Sequence, residues 1–221
     1  MSCEETNVAI TTRSMWEDLR ELSWSHIDLP YRRIPFEDKN GAEYVRELVK
    51  LDSEWTVNID EDAFLFRGES VKGLIALMDR EGYACCGVPD GGMVGTRKHN
   101  PVVPNAFFNI INTRKARGVE SQFEEWMKEM GPKILRGEEG KDFEYDMFEI
   151  YYPFFLGMVK RGERILYLDA ETWRGDGMST IVKDHEGVPF LIHSWKARDW
   201  KNKEARERIE RVSTYAFKEK S

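Results

Sequence analysis

Two periodicities divide this chain. Continuously apolar or β-branched runs predict strands at NVAITT (7–12), Tyr31–Phe36, Trp55–Ile59, YACCGV (83–88), NAFFNII (105–111), RILYL (164–168) and around Phe190–Ile192. Apolar residues at helical spacing predict helices over Ser14–Leu22, Gly41–Leu51, Ser70–Gly82, Gln122–Met130 and Asp146–Arg161, and in the tail from Asp199 onward. Ser14 with Glu17 three residues later reads as a capping box, and Gly82 as a helix stop. In the tail, Glu204/Arg208 and Glu207/Arg211 stand at i,i+4, opposite Ile209 and Val212, which predicts a surface helix. Pro89-Asp90-Gly91-Gly92 predicts a tight turn, and 136–141 a charged loop. Strands alternating with helices in the first half predict an α/β fold with a mostly parallel central sheet flanked by helices. Ligands in such sheets bind beyond the carboxyl ends of the strands.

One stretch breaks the apolar pattern there. WTVNIDEDAFLF (55–66) runs as a strand into Asp60, Glu61 and Asp62 and then turns apolar again. Residues i and i+2 of a strand share a face, so Asp60 and Asp62 are expected on one side and Glu61 on the other. Two neighbouring carboxylates repel unless a cation lies between them. Mg²⁺ or Mn²⁺, bound through hard oxygens with positions left for phosphate and water, meets that need. A D-x-D also fits a solvated strand-end turn. The apolar residues on both flanks leave little room for an exposed loop.

The 221 residues suffice for one full core, or two small domains at most. The net charge of −7 argues against a dedicated nucleic-acid binder, which needs a basic face. No apolar run approaches the ~20 residues of a membrane helix. The opening MSCEETNVAITTRS has no long apolar core, so no signal peptide is expected. Three cysteines (Cys3, Cys85, Cys86), without metal spacing, read as reduced thiols of a cytoplasmic protein. Seven tryptophans exceed what a core needs, and Trp173 and Trp195 are candidate sugar platforms. In VPFLIHSWKAR (188–198), His193 ends an apolar strand and is followed by Lys196 and Arg198. Its imidazole suits a further metal ligand, and the two cations suit a phosphate.

WTVNIDEDAFLF resembles the D-x-D strand of nucleotide-sugar-dependent glycosyltransferases of the GT-A fold. DFEYDMFEIYYPFFLGMVKRGERILYL (142–168) resembles a later segment of that family, and the terminal His followed by basic residues resembles its third metal ligand. NVAITT resembles its first strand, whose end touches the nucleotide base. The D-x-D strand comes early, so a shortened N-terminal nucleotide-binding half is expected.

The resemblance implies a single domain. Residues 1–66 would form the nucleotide and metal half, 67–198 the acceptor half, and 199–221 a surface helix. It implies Mn²⁺ or Mg²⁺ held by Asp60, Asp62 and His193. Thr11, Thr12 and Arg13 would lie at the base and ribose, Asp90 at the sugar, and Lys196 and Arg198 at the diphosphate. Asp146 and Glu149, at i,i+3 on a helical face, are the favoured pair for a catalytic base. The implied partners are a nucleotide-diphospho-sugar donor and a sugar or glycan acceptor. A metal-dependent phosphoesterase or nucleotidyltransferase, and a carbohydrate- or nucleotide-binding module without catalysis, remain open alternatives.

Overall fold

The computed structural model describes residues 7–94, 97–98, 100–120, 135–136, 142–143 and 149–220. In chain order its elements begin with β1 (Val8–Ser14), α1 (Glu17–Trp24), β2 (Arg32–Glu37), α2 (Gly41–Leu48), β3 (Trp55–Ile59), β4 (Ala63–Leu65) and α3 (Gly68–Glu81). Next come β5 (Tyr83–Pro89), β6 (Gly91–Val94), β7 (Arg97–Lys98), β8 (Pro104–Asn112) and α4 (Thr113–Glu120). After β9 (Leu135–Arg136) and β10 (Asp142–Phe143) come α5 (Tyr152–Lys160), β11 (Arg164–Tyr167), β12 (Ala170–Thr172), β13 (Thr180–Lys183), β14 (Pro189–His193) and α6 (Lys203–Glu219).

Among the described residues the main sheet has six strands in the order β11-β5-β8-β3-β1-β2. Pairings β1/β2, β1/β3 and β5/β11 are parallel, and β8 runs against both of its neighbours. The sheet is thus mostly parallel, with helices packed on it, as the alternation of elements predicts. Pro35 lacks an N–H and is accommodated because β2 lies at the sheet edge. The chain leaves β1 toward β2 on one side and leaves β3 toward the other, so the ends of β1 and β3 diverge and open a crevice.

A second, four-stranded antiparallel sheet, β12-β13-β14-β4, explains the apolar run after the acids. Its alternate residues are buried on both faces. Leu65, Val182 and Leu191 join the core beneath α3, while Phe64, Ile181 and Ile192 join a core under α1 and α6. Asp60–Asp62 are the turn that carries the chain from the large sheet into the small one.

Several element ends differ from the sequence expectation. α1 begins at Glu17 with Trp16 as N-cap and no side-chain cap, because Ser14 belongs to β1 and donates instead to Glu61. Asn40, with Glu43, makes a capping box at α2. Pro153 stands in the first turn of α5, where its missing N–H costs nothing, so the helix starts at Tyr152. Gly91 and Gly92 continue as strand β6 rather than as a turn. Gly82 takes the left-handed C-cap, φ 75°. The helix expected at Gln122–Met130 lies outside the described residues. No described helix is long and apolar enough to cross a membrane.

Candidate active site

The ends of β1 and β3, the start of β8, the residues before α5 and the segment after β14 surround one cleft of about 260 Å³. Arg13, Asp60, Asp62, His193, Lys196 and Arg198 all line it, joined by Glu149. The topology therefore gathers side chains 47 and 131 residues apart in the chain.

Each of the three acids has its own partner. Asp60 receives the Arg13 guanidinium, Nη2 to Oδ2 at 2.6 Å, and its Oδ1 also faces the Asn58 amide at 3.3 Å. The neighbouring Asp60 carboxylate raises the Arg13 pKa above its ordinary value, despite burial. Glu61 Oε2 accepts from the Ser14 hydroxyl at 3.0 Å and from the Met15 and Trp16 backbone N–H groups at 2.9 Å each. It thereby caps the entrance of α1 from a distant part of the chain and complements the helix dipole. Burial pushes its carboxyl up to about 7, while those three donors pull it down. Asp62 Oδ1 lies 3.1 Å from His193 Nε2. Burial raises the Asp62 carboxyl, but the His193 ring and its hydrogen bond outweigh this and hold it below the usual range.

His193 is 4% exposed and stacks on Phe107, centroids 4.2 Å apart at 13°, with Trp195 tilted against both rings, 4.2 Å from His193 and 5.5 Å from Phe107. Its Nδ1 has no hydrogen-bond partner among the described residues. The segment that follows is bound to the acids. The Ser194 N–H and hydroxyl both donate to the Asp62 carbonyl, at 2.9 and 3.1 Å. Trp195 and Lys196 then take left-handed backbone, φ 63° each. For non-glycine residues such backbone costs about 1–3 kcal/mol and persists only where the surroundings hold it. The turn carries exposed Lys196 and Arg198 onto the cleft wall, where neither has an ion pair among the described residues.

The donor set can be tested for a divalent cation. Among the described residues no three His, Cys, Asp or Glu side chains gather as a metal site. Asp60 is engaged by Arg13. Adjacent ligands of an octahedral ion with bonds of ~2.1 Å lie about 3 Å apart, and the Asp62 oxygen and His193 nitrogen stand at 3.1 Å. That spacing is the hydrogen bond the two side chains make with each other; a carboxylate oxygen and an imidazole nitrogen are ligand types such an ion takes once that bond is given up.

Other residues named from the sequence lie elsewhere. Thr11 and Thr12 are fully buried, because β1 is central and covered on both faces. Thr11 bonds the Tyr44 hydroxyl of α2 at 2.7 Å, and Thr12 accepts from the Trp24 indole of α1 at 2.9 Å. Asp90 is fully buried below the cleft and accepts from Asn105 and Tyr152, so it ties the start of β8 to the start of α5. Asp146 lies outside the described residues. Lys39, Glu61, Asn105, Phe107 and Tyr151 line the cleft without having been singled out for it. Lys39 follows β2, whose end neighbours that of β1, so strand-end position was the signal available for it.

No family model matches the chain, and no curated protein matches it. Among solved structures it is similar to a glycosyltransferase involved in the glycosylation of the major capsid of PBCV-1. That likeness has a TM-score of 0.50 at 10% identity and covers 94% of this chain and 98% of the other. It is also similar to the mannosyltransferase PcManGT from Pyrobaculum calidifontis, solved in complex with GDP-Man and Mn²⁺ (TM-score 0.44, 10% identity, 74% of this chain and 55% of that one). A third similarity is to A197 from STIV (TM-score 0.39, 12% identity, 84% and 93%). The first of these carries the fold: the mixed α/β architecture is shared with a glycosyltransferase almost end to end.

Proposed function

We propose that this protein is a glycosyltransferase that moves a sugar from a nucleotide-diphospho-sugar to the hydroxyl of a sugar or glycan acceptor, with Mn²⁺ or Mg²⁺. The observation that carries the reading is the convergence of Asp62, His193, Arg13, Lys196 and Arg198 on one crevice beyond the ends of β1 and β3. The fold shared with a glycosyltransferase agrees with it but does not by itself assign an activity.

In this reading Asp62 and His193 hold the ion, and Asp60 serves through Arg13. A bound divalent ion supplies Lewis-acid neutralisation of the leaving diphosphate. Arg13 and Asp60 orient the ribose-diphosphate edge as a fixed pair. Lys196 and Arg198 bind phosphate oxygens and stabilise the charge that develops on them. Glu149, on the far wall, accepts the proton of the acceptor hydroxyl in an inverting reaction, with Asp146 its sequence neighbour at i−3. Thr11 and Thr12 support the base-binding end of β1 from within, and Asp90 shapes the sugar end through Asn105. The buried thiols of Cys85 and Cys86 accord with a reducing, cytoplasmic setting.

Calorimetric titration of UDP and GDP, with and without Mn²⁺, tests the proposal, followed by donor-sugar panels on whichever nucleotide binds. Manganese-dependent binding with sugar transfer is the expected result. Phosphate release with no sugar transferred would point to a phosphoesterase, and binding without turnover to a non-catalytic module.

A further inference from the structure

The helix α6 packs behind the cleft and takes no part in its wall, yet one of its residues reaches the segment that forms that wall. Arg208 is expected from the sequence to pair with Glu204 on a solvated face. Its side chain is instead only 13% exposed. Nη1 donates to the Ser194 carbonyl and Nη2 to the Trp195 carbonyl, the latter at 2.7 Å. Nη1 also stands 3.3 Å from Asp176 Oδ2 and 3.4 Å from the Ser179 hydroxyl.

Asp176 is itself a fixed group. Its Oδ1 accepts the Met178 and Ser179 N–H groups at 2.9 and 2.8 Å, and its Oδ2 accepts the Ser179 hydroxyl at 2.6 Å. The guanidinium is therefore anchored on one side and presents two donors to successive carbonyls on the other. A planar fork can do this and a lysine ammonium cannot.

The carbonyls it holds belong to the residues at which the backbone becomes left-handed. Ser194 is bonded to the Asp62 carbonyl on its cleft side and to Arg208 on its rear side. Trp195 and Lys196 follow at φ 63°. Two consecutive non-glycine residues in that region need external restraint; the carbonyl clamp acts on the backbone itself, beside the Trp195 indole bond to the Thr180 hydroxyl and the Trp16 indole bond to the Ala197 carbonyl. Released, the segment would relax toward ordinary extended or right-handed backbone, and Lys196 and Arg198 would swing from the wall.

We propose that Arg208 is a positioning residue of the cleft: by clamping the Ser194 and Trp195 carbonyls it holds Lys196 and Arg198 where a diphosphate binds. The clamp stands on geometry alone, and the identity of the ligand rests on the glycosyltransferase reading. A surface residue of an amphipathic helix would have neither consequence.

Two readouts on the full chain test this. The first is amide hydrogen exchange over 194–199 in the wild type, Arg208→Gln and Arg208→Lys. Faster exchange in that segment, with β1, β3 and α6 still protected, is expected for both variants. Unchanged exchange there overturns the clamp. If Arg208→Gln fails to fold, Arg208→Lys, which keeps the charge beside Asp176, decides the matter.

The second readout is inorganic pyrophosphate affinity, with Mn²⁺ present throughout, in the wild type, Arg208→Gln, Lys196→Ala/Arg198→Ala and the triple variant. Arg208→Gln is expected to weaken binding about ten-fold, the order of one charge-assisted contact. It should add less once both cations are gone, because theirs are the positions it is proposed to fix. Full additivity overturns the positioning role. A wild type that ignores pyrophosphate overturns the diphosphate reading, and with it the consequence for binding, while the exchange measurement still decides the clamp.

Discussion

Two buried histidines with like contacts occupy regions that differ. His193 lies at the cleft and His26 in the seam where α1 and the small sheet meet α6. Both are at most 4% exposed, both bond one oxygen through Nε2, and neither Nδ1 has a partner among the described residues. Both pack against phenylalanine, Phe107 at 4.2 Å for His193 and Phe217 at 3.8 Å for His26. The oxygen beside His193 is the Asp62 carboxylate, whereas the oxygen beside His26 is the Ser213 hydroxyl at 2.8 Å. Burial therefore pushes His26 down to about 4 and keeps it neutral, a packing residue. His193 faces an anion on a wall that solutes reach. Burial is common to both histidines. The charge of the partner and access to the cleft tell them apart.

The comparison predicts that cleft substitutions change chemistry and spare the fold, while seam substitutions do the reverse. Glu149→Gln should slow sugar transfer by about 10²–10⁴-fold with nucleotide binding unchanged, measured as initial rates beside calorimetry. Asp62→Ala and His193→Ala should each weaken Mn²⁺-dependent nucleotide binding by about 100-fold, while circular dichroism stays native. Native-like metal-dependent binding in the Asp62 variant would remove the main support for the site.

His26→Ala should lower stability by about 2–4 kcal/mol in urea, through the cavity it leaves and the stranded Ser213 hydroxyl, with nucleotide affinity unchanged. Acid sharpens the same contrast. The folded pKa of His26 is depressed from 6.5 to about 4, so the unfolded chain binds the extra proton. Its contribution is complete above pH 6.5 and is lost as pH falls from there through 4. Glu61, raised to about 7, acts in the opposite sense over much of that window, so the His26 contribution is read as a difference: as pH falls from 6.5 through 4, the melting temperature of His26→Phe should rise relative to that of the wild type. The smallest effect is Arg32→Ala, which breaks an exposed pair with Asp52 and should change stability by no more than about 0.5 kcal/mol.

Much of the main sheet could be read from residue pattern. β1, β3, β5 and β8 are central, buried on both faces, and so carry the continuous apolar runs that announce them. β12 and β13 left no such signal, because their residues are fewer and mixed. They pair with each other and with β14 nearby in the chain, but the sheet is completed by β4, whose Leu65 stands opposite Leu191, 126 residues on. In the cleft, the acids and His193 stood out by contrast with their apolar neighbours. Lys39 and Asn105 did not, since polar residues at strand ends are ordinary.

The sequence by itself determined that the chain is α/β, that acids interrupt apolar runs at the end of β3, and that a histidine with cations follows a late strand. These are local properties, set by the pleat, by helical spacing and by the cost of burying charge. Only the tertiary structure decided which partner meets which acid. Asp60 takes Arg13, Glu61 takes the entrance of α1, and Asp62 takes His193. It also sent Arg208 to the carbonyls behind the cleft rather than to Glu204. Charge pairing inside a fold is a matter of distance in space, and the order of residues along a chain does not contain that distance.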